Sequence, residues 1–242
     1  MYLSWIIPAY NEEKRIGKSL REVDKYLRSK NFAGGYEILV VVSASKDRTK
    51  EVVQSLETEV PSLNLLEVEN KGKGWAVKQG MLRSRGDIKL FSDADNSTEP
   101  RYFDSMELKL KQGYDVVISS RHSRDASGAG RDVKEPWYRE IMGGMGNMLI
   151  QIVGVWGIWD TQNGFKAFTK GAAERTFPRI RINGFSFDIE VLALARKFGM
   201  RIGIIPIQWR WEPESTVSLK AYFQVLKDLL IIRWNLFTKK YE

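Results

Sequence analysis

The chain has 242 residues, 43% hydrophobic and 28% charged, which fits one soluble globular domain with a sizeable core. It has no cysteine and a single histidine, His122, which excludes disulfides, thiolate metal sites and histidine-rich metal centres. The formal net charge of +8 points to an anionic partner: nucleotide phosphates, nucleic acid or an anionic membrane surface.

Residues 3–7 (LSWII) read as a buried strand, so no signal peptide is expected ahead of the fold. Further apolar runs at 36–42, 63–68, 87–92 and 114–119 read as strands buried on both faces. Between them, 12–30, 47–60, 73–84 and 99–112 read as helices. This alternation predicts an α/β fold, a mostly parallel sheet with covering helices. Past a polar, Gly-rich loop at 121–134, a helix is predicted from about 136 into the 150s and another at 186–198. A strand at 201–207 and a terminal helix at 219–238 complete the chain. No repeat or linker divides it, so a single domain is predicted: a nucleotide-sugar half (1–119), an acceptor half (120–218) and the terminal helix (219–242). Met148–Trp159 is apolar but shorter than the roughly 18 to 20 residues that span a bilayer.

In parallel α/β sheets ligands bind at the carboxyl ends of the strands. After the first strand comes Pro8-Ala9-Tyr10-Asn11-Glu12-Glu13, with backbone amides, an aromatic ring and acceptors at a helix start. After the third comes Asn70-Lys71-Gly72-Lys73-Gly74, which offers ammonium groups and amides to a phosphate without matching a P-loop. After the fourth comes Asp93-Ala94-Asp95. Residues two apart on an extended chain point the same way, and two hard carboxylates suit Mg²⁺ or Mn²⁺ together with substrate phosphate oxygens.

These segments, with Ser120-Arg121, Asp160-Thr161-Gln162-Asn163-Gly164-Phe165-Lys166, Phe187-Asp188-Ile189-Glu190 and Trp209…Ser215, occur in the order seen in glycosyltransferase family 2. The chain resembles that family's enzymes acting on dolichyl phosphate, and their polyprenyl-phosphate relatives, along essentially its whole length. The resemblance implies a Rossmann-like GT-A fold and an inverting, metal-dependent hexosyl transfer, with UDP-glucose as donor and a polyprenyl phosphate as acceptor. It implies that Pro8, Tyr10, Asn11, Glu12, Ser43, Lys71, Lys73, Asp93, Ala94 and Asp95 hold the donor, and that Asp93 and Asp95 bind the metal. It also places Arg121, Arg139 and Lys166 at the acceptor side and Asp188, with Glu190, near the reacting centre, Asp188 as a candidate base, and it counts Gln162 with Arg121, Arg139, Lys166 and Asp188 among the catalytic residues.

The match has one departure. The family's usual Asp-Asp-Gly-Ser after the second strand is Val42-Ser43-Ala44-Ser45 here, although Asp47 and Thr49 remain. The carboxylate that reads the base is missing, so a GDP-mannose-dependent transferase and a saccharide-acceptor transferase stay as alternatives. A non-catalytic nucleotide-sugar or RNA-binding module is disfavoured. The aromatics do not interleave with basic residues, and Asp-x-Asp repels phosphate without a metal. No nucleic acid is expected. The terminal helix, with Leu226, Leu229, Leu230, Lys227, Arg233, Lys239 and Lys240, reads as amphipathic and basic. It predicts a cytoplasmic enzyme held peripherally on the inner face of an anionic membrane.

Overall fold

Seven strands form one mixed sheet in the order β3-β2-β1-β4-β7-β5-β8. The computed structural model describes residues 1–131, 147–152, 154–209 and 219–242. In chain order the sheet strands are β1 (Leu3–Ala9), β2 (Tyr36–Ser43), β3 (Leu63–Val68), β4 (Ile88–Ser92), β5 (Val116–Ser120), β7 (Phe165–Thr169) and β8 (Ile202–Pro206). β6 (Gly130–Arg131) and β9 (Gln208–Trp209) pair separately. The helices are α1 (Ile16–Arg28), α2 (Thr49–Ser55), α3 (Lys73–Arg83), α4 (Phe103–Lys111), α5 (147–152), α6 (Lys170–Thr176), α7 (Phe187–Lys197) and α8 (Leu219–Phe237).

The continuous apolar runs of β1, β2, β4 and β5 become strands covered on both faces, whereas β3 is a half-exposed edge strand. Alternate residues enter opposite cores. Trp5, Ile7, Val40 and Leu90 pack with Leu20, Val23 and Val53 of α1 and α2 and with Phe103 of α4. Ile6, Val41 and Phe91 pack with Val77 of α3, Phe187 of α7 and Leu229 of α8. This is an α/β/α layering with buried strands.

β7 is the strand the sequence conceals. It lies antiparallel between β4 and β5, with Phe91 opposite Lys166 on one side and Ile118 opposite Lys166 on the other. A lysine at the second position of a five-residue run interrupts the apolar pattern that marks the other strands. Because β7 comes from the second half and inserts between strands of the first, both halves share one sheet. It also delivers the Asp160–Lys166 segment beside the end of β4. The helix predicted from 136 lies outside the described residues up to 146.

The terminal helix corrects the amphipathic reading. Leu229 and Ile232 are buried in the core, whereas Phe223, Leu226, Leu230, Trp234 and Phe237 are exposed. α8 is therefore apolar on two faces, one packed and one bare, and Leu229 belongs to the packed face. Among the described residues no helix is long and apolar enough to cross a membrane.

Candidate active site

The chemistry-bearing loops meet at the carboxyl ends of β1, β2, β3 and β4. Each of three turns there contains a non-glycine residue in the left-handed region: Asn11 (φ 55°), Ala44 (φ 50°) and Asn96 (φ 52°). Such residues are uncommon outside turns and sites that over-determine them. The loops after β1 and β2 brace each other. Asn11 N–H donates to Ser45 Oγ at 3.1 Å, Glu12 N–H to Thr49 Oγ1 at 2.7 Å, and Glu13 N–H to Asp47 Oδ2 at 3.1 Å. Asp47 and Thr49 thus position the Tyr10–Glu13 loop. Ser43 is buried and donates to the Asn70 carbonyl at 2.7 Å, so it shapes the lysine loop.

Lys71 is exposed and donates to the Tyr10 hydroxyl at 2.8 Å, which lowers the phenol's pKa. Lys73 reaches into the cluster and pairs with Asp93 Oδ1 at 2.5 Å. Burial works against its charge, but Asp93, Asp188 and Asp95 carry its pKa above the ordinary lysine value. Glu12 is close to the same carboxylates. Burial chiefly raises its pKa, Arg15 opposes this, and Asp95 and Asp93 add to the rise.

Behind this surface lies a sealed ion pair. Lys166 Nζ meets Asp188 Oδ1 at 2.5 Å, with side-chain exposures of 0% and 2%, and it also donates to the Asn163 carbonyl. Burial pushes the Asp188 carboxyl up and the Lys166 ammonium down, against the pull of the pair. On the other side, Arg121 grips Asp160 through Nε at 2.8 Å and Nη2 at 2.7 Å, while its backbone N–H donates to the same carboxylate. Burial opposes ionisation of Asp160, but Arg121 overcomes it and lowers the pKa to about 2.

Residues 4–177 match the model of Glycosyl transferase family 2. The chain belongs to that family. Its relatives include a dolichyl-phosphate beta-glucosyltransferase of Trichomonas vaginalis, 36% identical over 96% of this chain and 73% of that protein. The human dolichyl-phosphate beta-glucosyltransferase is 34% identical over 98% of this chain and 76% of its own length. The fold is shared with glucosyl-3-phosphoglycerate synthase from Mycobacterium tuberculosis at a TM-score of 0.69 and 18% identity, covering 96% of this chain and 78% of that one. That protein was crystallised with Mn²⁺, UDP and phosphoglyceric acid.

The chain is thus a glycosyltransferase of GT-A fold. The structure brings together Tyr10, Glu12, Lys71, Lys73, Asp93 and Asp95, and it puts Asp188 directly behind Lys73. Three expectations change. Lys166, expected at the acceptor side, is fully buried and pairs with Asp188. Glu190 faces away: its carboxylate accepts the backbone N–H groups of Arg181 and Ile182 and the Tyr241 hydroxyl. Ala94 is buried. Gln162 is exposed, Pro8 is half-buried at the end of β1, and Arg139 lies outside the described residues.

The residues fit a divalent metal. Asp93 and Asp95 are half-exposed hard oxygen donors at a strand end, and Asp95 accepts only the Ser97 N–H among the described hydrogen bonds, at 2.9 Å. Gly164 makes room for them, since a Cβ there would collide with the Asp93 carboxylate. No cluster of three acidic or histidine ligands exists among the described residues, which suits an ion completed by phosphate oxygens and water.

The Asp160 pair predicts a pH dependence. A depressed carboxylate pKa contributes stability that is complete above the unfolded value of about 4 and is lost as pH falls through the folded value. The difference in urea midpoint between wild type and Asp160→Asn is expected to be largest near neutral pH and to shrink as pH falls from about 4 toward 2. A difference independent of pH would mean that the pair adds no ionic stabilisation.

Proposed function

We propose that this chain transfers glucose from UDP-glucose to the phosphate of a polyprenyl carrier, with Mg²⁺ or Mn²⁺, while docked on the cytoplasmic leaflet. The observation that carries the reading is the Asp93–Lys73 pair beside Asp95 at the end of β4. It sits in a chain 36% identical, over nearly its whole length, to a dolichyl-phosphate beta-glucosyltransferase. The Mn²⁺ and UDP bound by the mycobacterial enzyme of the same fold support the donor and metal assignments.

In this reading Tyr10, Asn11 and Glu12 hold the nucleotide, and Lys71 and Lys73 face its phosphates. Asp93 and Asp95 hold the metal, which supplies charge neutralisation for the leaving diphosphate. The acceptor phosphate has a second pKa of about 6 and is mostly dianionic at neutral pH, so it attacks without a strong base. Asp188 is therefore not needed as a base; it is committed to Lys166 and anchors the charge array. Arg121, fixed on Asp160, receives the acceptor phosphate and offsets repulsion between the two phosphate groups. In-line attack on an α-linked donor gives a β-linked product.

A lipid acceptor requires the site to sit at a membrane surface. The bare face of α8, formed by Leu226, Leu230, Trp234 and Phe237, is flanked by Lys227, Arg233, Lys239 and Lys240. Each basic residue near an anionic surface adds about 1 kcal/mol of binding. The exposed Met148, Ile152 and Trp156 add a second apolar patch.

One assay tests both parts: transfer from UDP-glucose or GDP-mannose to polyprenyl phosphate in anionic vesicles, with Mn²⁺ or with EDTA. Glucose transfer that EDTA abolishes is the expected result, and transfer from GDP-mannose alone would overturn the donor assignment. The Leu230→Asp/Trp234→Asp variant is expected to lose vesicle binding while still using a short-chain acceptor in solution. Equal vesicle binding by that variant would remove α8 from the membrane contact.

A further inference from the structure

Phe185 leaves 68% of its surface exposed, and it does so beside the charged cluster. It lies in the 183–186 turn that leads into α7, and this turn is fixed against the lysine loop. Trp75 N–H donates to the Asn183 carbonyl at 3.2 Å. Gly72, at φ 136°, allows the contact, because a Cβ there would run into that same carbonyl. Glu190 holds the approach to the turn from behind through Ile182 N–H at 2.8 Å. The ring is therefore presented by a braced backbone. Its centroid is 6.0 Å from Lys73 Nζ, and the same ammonium is 2.5 Å from Asp93 Oδ1.

An apolar ring beside an ammonium that is itself paired with a carboxylate defines a mixed chemistry. Binding pockets commonly combine an aromatic wall with a few polar groups that fix orientation. A hexose presents both complements: hydroxyl groups around its rim, and a face of C–H groups. We propose that Phe185 is the platform for the transferred sugar, its ring against the C–H face of the hexose whose diphosphate Lys73 faces. This rests on the UDP-glucose reading and adds a sugar-binding residue to it. In an α-linked glucosyl donor the axial diphosphate projects from one face and leaves axial C–H groups on the other. Galactose projects its axial C4 hydroxyl from that other face, so Phe185 is also a determinant of sugar choice.

The test measures binding of UDP-glucose, UDP-galactose and UDP to the full chain with Mn²⁺, and transfer rates with the two sugars. Because the ring is exposed, Phe185→Ala is expected to fold normally. An aromatic contact of this kind corresponds to about a tenfold change in affinity. Phe185→Ala is thus expected to weaken UDP-glucose binding by about tenfold while UDP binding changes by less than about twofold. Its preference for UDP-glucose over UDP-galactose should narrow, and Phe185→Trp should restore both properties. Equal loss for UDP and UDP-glucose, no loss for either, or a change confined to the polyprenyl-phosphate KM would each overturn the proposal. A wild-type chain that transfers no glucose from UDP-glucose would instead overturn the underlying donor reading, and this proposal with it.

Discussion

Alanine at Asp95 or Asp93 is expected to reduce glycosyl transfer by at least about 10²- to 10³-fold, the range seen when one electrostatic stabiliser of a transition state is removed. Both carboxylates are half-exposed and stand outside the two cores, so the fold should survive. The two variants should differ in kind. Asp95 has no ion-pair partner among the described residues, so its loss removes an acceptor available to a cation. Asp93 carries Lys73, so its loss also frees an ammonium beside the donor phosphates. Initial rates across a Mn²⁺ series, with far-ultraviolet circular dichroism as the folding control, decide the matter. The thermal shift produced by Mn²⁺ with UDP should vanish in Asp95→Ala. Wild-type turnover in either variant would remove that residue from the metal and diphosphate site.

The largest effect on stability is expected at Asp188. Alanine there leaves the Lys166 ammonium fully buried without a direct ion-pair partner among the described residues, beside only the Asn163 carbonyl and the Phe91 ring. Breaking one side of a buried ion pair costs about 3–5 kcal/mol, because the remaining charge is neither solvated nor neutralised. At this chain length 1 kcal/mol shifts the melting temperature by about 2–4 °C, so a fall on the order of 10 °C is expected. Lys166→Met combined with Asp188→Leu removes both charges and should recover most of that loss, since apolar replacement of a buried pair is often neutral. Transfer activity should stay low in the double variant, because Lys73 loses a carboxylate that holds its charge. Denaturant melts of Lys166→Met, Asp188→Leu and the double variant form a cycle that isolates the pair. A loss below about 1 kcal/mol in Asp188→Ala would mean that Lys166 finds water or another partner.

The first half of the chain was legible because its signals are local. Four of the five apolar runs lie on strands covered on both sides, the third forms the half-exposed edge strand β3, and the amphipathic stretches lie on covering helices. The rule that parallel α/β sheets bind ligands at their strand ends then led directly to Tyr10, Lys71, Lys73, Asp93 and Asp95. The family resemblance added Arg121, Asp188 and Lys166, but it could not give their surroundings. Ser43 shows the limit: its position after β2 suggested a donor contact, whereas its hydroxyl is buried on the Asn70 carbonyl.

What the sequence determined by itself was the strand–helix alternation, the placement of the acidic pair and the basic loop, and the absence of thiol or histidine chemistry. These follow from side-chain periodicity and residue type, which act over a few residues. Only the tertiary structure decided that β7 enters antiparallel between β4 and β5. Its pairing partners lie 48 or more residues away, and no local pattern records which edge a strand will join. That insertion buries Lys166, so a lysine expected to face a substrate phosphate becomes the counter-ion of Asp188 instead. The same holds for α8, whose two apolar faces are alike in composition. Packing against α7 and the 150–158 segment chose Leu229 and Ile232 for the core and left Leu230 and Trp234 bare. A charge in a strand, or a second apolar face on a helix, acquires its role from what the fold sets against it.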